Sequence, residues 1–131
     1  MSEQELIQHA QRGMEQAYAP YSNFRVGAAL LAKSGNIYLG CNIENSSYGA
    51  TNCAERTAIF KAVSEGEREF EAIAIVCSNG TKAYPCGICL QVMSEFLPEG
   101  KVILEDENGI QTYKVSELLP SAFRLDISES C

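Results

Sequence analysis

The first part of the chain reads as a helix followed by two strands. Between Glu3 and Tyr18, apolar residues recur at spacings of one, three and four, as they do along one face of a helix. They are Leu6, Ile7, Ala10, Met14 and Ala17. Pro20 should end this helix. Residues 24–32 and 37–43 are predicted strands, and the Lys-Ser-Gly-Asn turn at 33–36 makes them a hairpin.

The rest of the chain alternates helices and strands. After a polar loop at 44–52, an apolar stripe indicates a helix that begins at Cys53 and ends near Gly66. Residues 72–77 favour a strand buried on both faces, and the helix before them makes the connection a crossover with parallel pairing. Another helix should run from Cys86 to Leu97. A hairpin of strands at 101–105 and 110–115 and a short helix at 116–119 close the chain.

The order of these elements bounds the fold. It predicts an α/β protein whose five-stranded mixed sheet is flanked by helices. The predicted order is helix, strand, strand, helix, strand, helix, strand, strand and helix. The chain has 131 residues, which is the size of one domain, so residues 1–131 are expected to form a single unit.

Charge narrows the possible partners. Ten basic and seventeen acidic side chains give a net charge of −7, and no basic stripe is present, which argues against a nucleic-acid partner. The first twenty residues lack an apolar signal-peptide core. The longest uncharged run, residues 83–94, is too short to span a membrane. We therefore expect a soluble protein in a cytoplasmic, thiol-reducing compartment, where cysteines act as metal ligands, catalysts or core residues.

Three of the six cysteines stand where thiolates are favoured. The predicted helices begin at Cys53 and Cys86, and the positive end of a helix dipole stabilises a thiolate. Cys89 lies three residues after Cys86, on the same face of its helix. If the two helices follow adjacent parallel strands, Cys53 meets this pair at one end of the sheet. The three thiolates would then hold one zinc ion.

Other interpretations of the cysteines and the single histidine remain open. Cys86 and Cys89 alone also fit a redox-active dithiol, and a structural zinc site would need a fourth protein ligand. Cys41, Cys77 and Cys131 are interpreted as small core residues. His9 is expected on the surface of the first helix.

Glu55 favours a catalytic zinc site over these alternatives. It follows Cys53 by two residues, in the first turn of the helix, where a carboxylate also compensates the helix dipole. Three protein ligands with an open coordination position are typical of catalytic zinc, which acidifies its bound water. Glu55 is then the candidate proton shuttle for that water.

At this point the residues resemble a known family. Cys53-Ala54-Glu55, followed by Pro85-Cys86-Gly87-Ile88-Cys89, is similar to the signature of the zinc-dependent nucleoside and base deaminases. Four further stretches resemble the small homotetrameric cytidine deaminases in particular. They are 19–22, 24–30, 40–45 and 117–120.

The resemblance implies a fold, a reaction and a cofactor. The fold would be the three-layer α/β/α arrangement of cytidine deaminases. The reaction would be hydrolysis of cytidine and deoxycytidine to uridine and deoxyuridine with release of ammonia, a step of pyrimidine salvage. One Zn²⁺ per chain would supply a zinc-bound hydroxide, and Glu55 would transfer its proton to N3 and to the leaving amino group.

It also implies which residues bind the substrate. Asn42 and Glu44 would bond the ribose hydroxyls, Phe24 would pack on the pyrimidine, and the backbone of Ala54 and the carbonyl near Tyr84 would read the base edge. The family places its sites at subunit boundaries of a homotetramer. The resemblance therefore implies that Tyr48 and Phe123 of neighbouring chains complete the site. A related deaminase acting on blasticidin is the nearest competing interpretation, and the 42–45 stretch favours cytidine.

The chain departs from the family pattern at Leu90, where an arginine usually stands. Zinc with three thiolates carries a formal charge of −1, and arginine donors next to the ligands withdraw charge from the sulfurs. Arg56, one turn after Cys53, is present. We expect either a higher pKa for zinc-bound water or compensation by another cation or backbone N–H. Improved packing behind the site is the alternative role of Leu90.

Overall fold

The computed structural model describes residues 1–125, and its elements confirm the α/β prediction. The helices are α1 (Glu3–Met14), α2 (Ala54–Ser64), α3 (Gly87–Phe96) and α4 (Val115–Leu118), and a short 3-10 turn covers Tyr48–Ala50. The strands are β1 (Val26–Ala32), β2 (Ile37–Cys41), β3 (Phe70–Cys77), β4 (Lys101–Asp106) and β5 (Gly109–Lys114). All five strands join one mixed sheet.

The strand order corrects the expected pairing of the strand at 72–77. The sheet runs β2-β1-β3-β4-β5, and β1 pairs antiparallel with both β2 and β3. Because β1 lies between them, β2 and β3 point the same way without being hydrogen-bonded to each other. The parallel pair is β3 with β4, joined through α3. The carboxyl ends of β2 and β3 still lie at the same edge of the sheet.

The helices cover both faces of the sheet and complete three layers. On one face, α2 and α3 pack over alternate residues of β1, including Ala28 and Leu30. On the other face, α1 packs its apolar stripe over Ala29 and Ala74. A capping box between Ser2 and Glu5 starts α1. Cys53 and Cys86, which directly precede α2 and α3, therefore lie in the layer formed by these two helices.

Two predicted elements end earlier in the structure than in the sequence pattern. The first helix stops at Met14 instead of Tyr18, because the backbone of Tyr18 pairs with the segment at 42–44 through two hydrogen bonds of 3.0 and 2.8 Å. The second strand stops at Cys41, after which Ile43 pairs with Asn52. In both places the backbone forms hydrogen bonds with a segment distant in the sequence, and these replace the bonds that would extend the helix or the strand.

Gly40 allows α2 to approach the sheet closely. A Cβ atom on Gly40 would lie 2.2 Å from the carbonyl oxygen of Ala54 and 2.7 Å from the backbone nitrogen of Ala58. Since Ala54 follows Cys53 directly, this contact fixes the height of Cys53 above the sheet.

Candidate metal centre and active site

Cys53 and Cys86 each occupy the position immediately before a helix, as the sequence predicts. Both have extended backbone angles, with φ of −76° for Cys53 and −72° for Cys86, and the helical residues begin at Ala54 and Gly87. Cys89 lies in the first turn of α3 and is buried. The first N–H groups of a helix have no partner within the helix, so both helix starts present positive potential to the thiols.

The three thiols form a cluster that fits zinc. Their Sγ atoms all lie within 4.8 Å of one another, and those of Cys53 and Cys86 are 3.9 Å apart. Four ligands arranged tetrahedrally at Zn–S distances of about 2.3 Å place sulfurs roughly 3.8 Å apart, so this donor set needs little rearrangement. Within residues 1–125 the cluster has three protein ligands, the number found at catalytic zinc sites.

Arg56 supplies a positive charge beside the thiols. Its Nη2 atom donates to Cys53 Sγ at 3.2 Å. Hydrogen bonds from Cys89 and Arg56 lower the pKa of Cys53 to about 5. The same bond to Cys53, together with burial, raises the pKa of Cys89. One thiolate in the cluster is therefore already stabilised by the chain itself.

Glu55 is buried in the first turn of α2, with 4% of its surface exposed. Burial raises the pKa of its carboxyl to about 7. Among residues 1–125 it is the one buried carboxyl side chain. A carboxyl with this surrounding can hold a proton at neutral pH, as an acid–base residue must.

Leu90 is buried in the apolar cluster that also contains Ala54, Cys89 and Met93. This contact supports the packing interpretation of the residue that stands where the family usually has arginine. Arg56 is the cation that the structure brings to the thiols. An effect of Leu90 on the pKa of zinc-bound water stays a prediction.

Asn42 is buried and holds the segment that carries Phe24. Its Oδ1 atom accepts a hydrogen bond from the backbone N–H of Val26 at 2.9 Å, and its Nδ2 donates to the carbonyl of Phe24 at 2.7 Å. Phe24 itself stays partly exposed. The direct role of Asn42 toward ribose stays a prediction, whereas its support of Phe24 is visible.

Glu44 lines an open pocket of about 410 Å³ together with Tyr21, Ser22, Asn45, Tyr48 and Thr51. Its carboxylate accepts hydrogen bonds from the hydroxyl of Ser22 and from the backbone N–H groups of Tyr21 at 2.9 Å and Ser22 at 3.2 Å. These bonds lower the pKa of Glu44. The sequence stretch at 19–22 marks this region, yet its contacts to Glu44 were not among the predictions.

Two predicted site residues lie on the open surface. Tyr48 is 80% exposed and Phe123 is 70% exposed. Ala54 is fully buried, so it can offer only its backbone. A larger depression of about 620 Å³ at the other end of the sheet, near Phe70 and Lys101, contains none of the predicted site residues.

The remaining candidates have ordinary surroundings. Cys41 and Cys77 are buried free thiols, as expected, and Cys131 lies outside the described residues. His9 is half-buried on α1, with Arg12 at 3.5 Å. No helix in residues 1–125 has the length and hydropathy required to cross a bilayer.

Comparison with known sequences identifies the family. The model for the cytidine and deoxycytidylate deaminase zinc-binding region matches residues 1–105. A cytidine deaminase of Halalkalibacterium halodurans is 56% identical over 125 residues, which cover 94% of this chain and 95% of that protein. A cytidine deaminase of Sporosarcina psychrophila is 53% identical, with coverage of 94% and 92%.

Solved structures agree with this result. The cytidine deaminase from Burkholderia pseudomallei superposes with a TM-score of 0.90 at 47% identity, covering 94% of this chain and 100% of that one. The enzyme from Mycobacterium tuberculosis gives a TM-score of 0.84 at 36% identity, with coverage of 95% and 99%. The three-thiol cluster lies within the matched region, and the chain belongs to the zinc-binding cytidine and deoxycytidylate deaminase family.

Proposed function

We propose that this protein hydrolyses cytidine and deoxycytidine to uridine and deoxyuridine, releasing ammonia, as a step of pyrimidine salvage. The observation that carries the proposal is the cluster of three thiols at the starts of α2 and α3, with a buried carboxyl in the same helical turn as Cys53. A redox dithiol needs no such carboxyl, and a structural zinc site is usually closed by a fourth protein ligand.

The proposed cofactor is one zinc ion per chain, which Cys53, Cys86 and Cys89 would hold. When bound, zinc lowers the pKa of a coordinated water and so supplies a nucleophile at neutral pH. Arg56 offsets part of the negative charge of the thiolates, because its guanidinium donates to Cys53 Sγ at 3.2 Å.

Glu55 moves the protons of the reaction. The carboxylate accepts a proton from the attacking water and delivers it to N3 of the pyrimidine. It then accepts the second water proton and passes it to the C4 amino group, so that the C4–N bond breaks and ammonia leaves. The burial of Glu55 keeps bulk water from competing for these protons.

Glu44, Asn42 and Phe24 bind the nucleoside. The lowered pKa of Glu44 keeps its carboxylate ionised, so it can accept hydrogen bonds from ribose hydroxyls. Asn42 anchors Phe24, whose exposed ring is available to pack on the base. The backbone N–H of Ala54, at the start of α2, and the carbonyl of Tyr84 read the base edge.

The site is completed by other copies of the chain in a homotetramer. The exposure of Tyr48 and Phe123, two large aromatic side chains, supports their burial against neighbouring chains. The cytoplasm is the proposed location, since the five cysteines of the described residues are free and zinc binding requires reduced thiols.

Zinc analysis combined with a cytidine absorbance assay on Glu55→Gln tests the function. We expect the wild-type protein to contain one zinc per chain and to turn over cytidine. The variant should keep its zinc and lose at least about 100-fold in kcat, the usual contribution of a general acid–base group. Glu95→Gln, which removes an exposed carboxylate from α3, is the matched control and should retain full activity.

Other outcomes would assign another function. A reversible dithiol–disulfide couple without zinc would indicate a redox protein, and zinc without turnover of any nucleoside would indicate a non-catalytic module. Turnover of blasticidin in preference to cytidine would identify the competing deaminase.

A further inference from the structure

The loop at 78–86 has no regular secondary structure, although it carries residues of the candidate site. It connects β3 to α3 and presents Tyr84 and the ligand Cys86. Its first half is a turn closed on itself, because Asn79 Oδ1 accepts bonds from the backbone N–H and hydroxyl of Thr81, at 3.1 and 2.7 Å. The second half, which bears the site residues, is held by contacts to another element.

A tyrosine pair joins this second half to β5. The hydroxyl oxygens of Tyr84 and Tyr113 are 3.1 Å apart, and their ring centroids are separated by 5.9 Å at an angle of 57°. Tyr113 donates its own proton to Gln111 Oε1 at 2.7 Å. Since a phenol has only one proton, Tyr113 accepts from Tyr84, and the three side chains form a chain of hydrogen bonds with one direction.

An ion pair ties the same part of the loop to β4. Lys82 Nζ lies 3.5 Å from Asp106 Oδ2, and the two side chains are 17% and 21% exposed. It is the one ion pair found among residues 1–125. Both contacts therefore reach the hairpin of β4 and β5, which contributes no side chain to the thiol cluster.

Pro85 stands between Tyr84 and Cys86 and restricts the backbone that joins them. The proline ring fixes its own φ near −65° and restricts the backbone of the residue before it. Pro85 is also buried, so the segment from Tyr84 to Cys86 has few free torsions. A shift of the backbone at Tyr84 would therefore move both the carbonyl of Tyr84 and the backbone of Cys86.

We propose that Tyr113 is a positioning residue, which holds Tyr84 in place and thereby sets the carbonyl of Tyr84 against the base and Cys86 against the metal. This inference rests on the proposed deaminase function. It assigns to the hairpin of β4 and β5 a role in substrate affinity and metal retention, although the hairpin carries none of the three thiol ligands.

Tyr113→Phe tests the proposal because it keeps the ring and removes the acceptor of Tyr84. In the zinc-loaded enzyme, we expect KM for cytidine to rise about threefold to tenfold, the effect of losing one neutral hydrogen bond, with kcat changed less than twofold. Zinc should also transfer to a colorimetric chelator several times faster. Tyr38→Phe is the control. Tyr38 lies on β2, at the edge of the sheet opposite β5, and its hydroxyl is bonded to Glu67. Its replacement should change neither KM nor the rate of zinc transfer.

Tyr84→Phe and the double variant distinguish positioning from a general loss of stability. Tyr84→Phe should reproduce the effects of Tyr113→Phe, and the double variant should add nothing to either. Additive effects in the double variant, or Tyr113→Phe behaving as wild type in both assays, would overturn the proposal. If the wild type does not turn over cytidine, the proposed function fails, while the zinc-transfer rates still test whether Tyr113 acts through Tyr84.

Discussion

The buried side chain of Leu90 is expected to stabilise the fold by packing next to the thiols. It lies in the apolar cluster beside Cys89 and Met93. Replacing it with alanine removes three carbons from this cluster and leaves a cavity, so we expect Leu90→Ala to lower the free energy of unfolding by about 2–4 kcal/mol. Leu90→Met conserves volume and should cost less than about 1.5 kcal/mol. Urea denaturation of the zinc-loaded proteins measures both values.

A loss below about 0.5 kcal/mol in Leu90→Ala would mean that Leu90 does not pack behind the site as described. If packing is its main role, Leu90→Met should also keep kcat and KM for cytidine near their wild-type values.

At the scale of single residues, the thiol cluster was predictable, whereas the hydrogen bonds that hold the surrounding loops were not. Cys53, Cys86 and Glu55 could be recognised because residue type, short spacing and a predicted helix start agree. The bonds of Glu44 to Tyr21 and of Tyr84 to Tyr113 join residues 23 and 29 positions apart. Such pairs have no periodic pattern, so only the folded chain reveals them.

Among the elements, the contact of α2 with β2 offers a sharp test. A methyl group on Gly40 would collide with the backbone of Ala54 and Ala58, which cannot move without displacing the whole helix. We expect Gly40→Ala to lower the free energy of unfolding by roughly 3 kcal/mol or more and to weaken zinc binding, because Cys53 moves with α2. Denaturation and zinc titration measure these changes.

Gly49→Ala is the matched control for this substitution. A Cβ at Gly49 meets no atom within 4 Å, and its φ is not in the left-handed region. Its stability and zinc affinity should stay close to those of the wild type. Equal behaviour of the Gly40 and Gly49 variants would contradict the close approach of α2.

Glu67 links the first hairpin to the loop after α2 and makes that link depend on pH. Its Oε2 atom accepts hydrogen bonds from Ser34 at 2.7 Å, Asn36 at 3.1 Å and Tyr38 at 3.0 Å. These bonds lower its pKa in the folded state, with Ser34 as the largest cause. Their contribution to stability is therefore present above the unfolded pKa of about 4.3 and is lost as pH falls through the lower folded value.

Thermal unfolding of Glu67→Gln across pH measures this dependence. The wild type should unfold at a higher temperature than the variant above about pH 5, and the difference should shrink below about pH 4. A difference that stays constant from pH 7 to pH 3 would show that ionisation of Glu67 does not contribute.

Local periodicity predicted the helices and strands, but it could not predict which strands are neighbours. The order along the chain suggested that the strand after α2 pairs with the strand before it. In the folded protein β1 lies between these two strands, because it is hydrogen-bonded to β2 along one edge and to β3 along the other. Gly27, where a Cβ would lie 2.2 Å from the carbonyl of Ala10, lets α1 pack against β1 from the other face. A hydropathy pattern does not reveal this role of Gly27, because it depends on the absence of a side chain.

For the whole molecule, mixing two defective chains tests whether the sites are shared. Phe123→Ala should raise KM for cytidine, and Glu55→Gln should lower kcat at least about 100-fold. If Phe123 completes the site of a neighbouring chain, a site in a mixed assembly can combine Glu55 of one variant with Phe123 of the other. Co-expression of the two variants should then give a kcat/KM above that of either variant alone.

Sedimentation provides the independent measurement for the same prediction. The wild type should sediment as a particle of four times the 14.3 kDa chain. A monomer in solution, or mixed assemblies no more active than the Phe123→Ala protein, would place Phe123 outside its neighbour's site.

The two faces of the sheet are open to different kinds of sequence change. The metal helices α2 and α3 cover one face, while Leu6, Ile7 and Ala10 of α1 cover the other. Substitutions under α1 should therefore alter how much folded protein accumulates and leave its choice of nucleoside unchanged. A library restricted to that layer could be screened by heat resistance alone, whereas a search for new substrates belongs on the layer that holds the thiols.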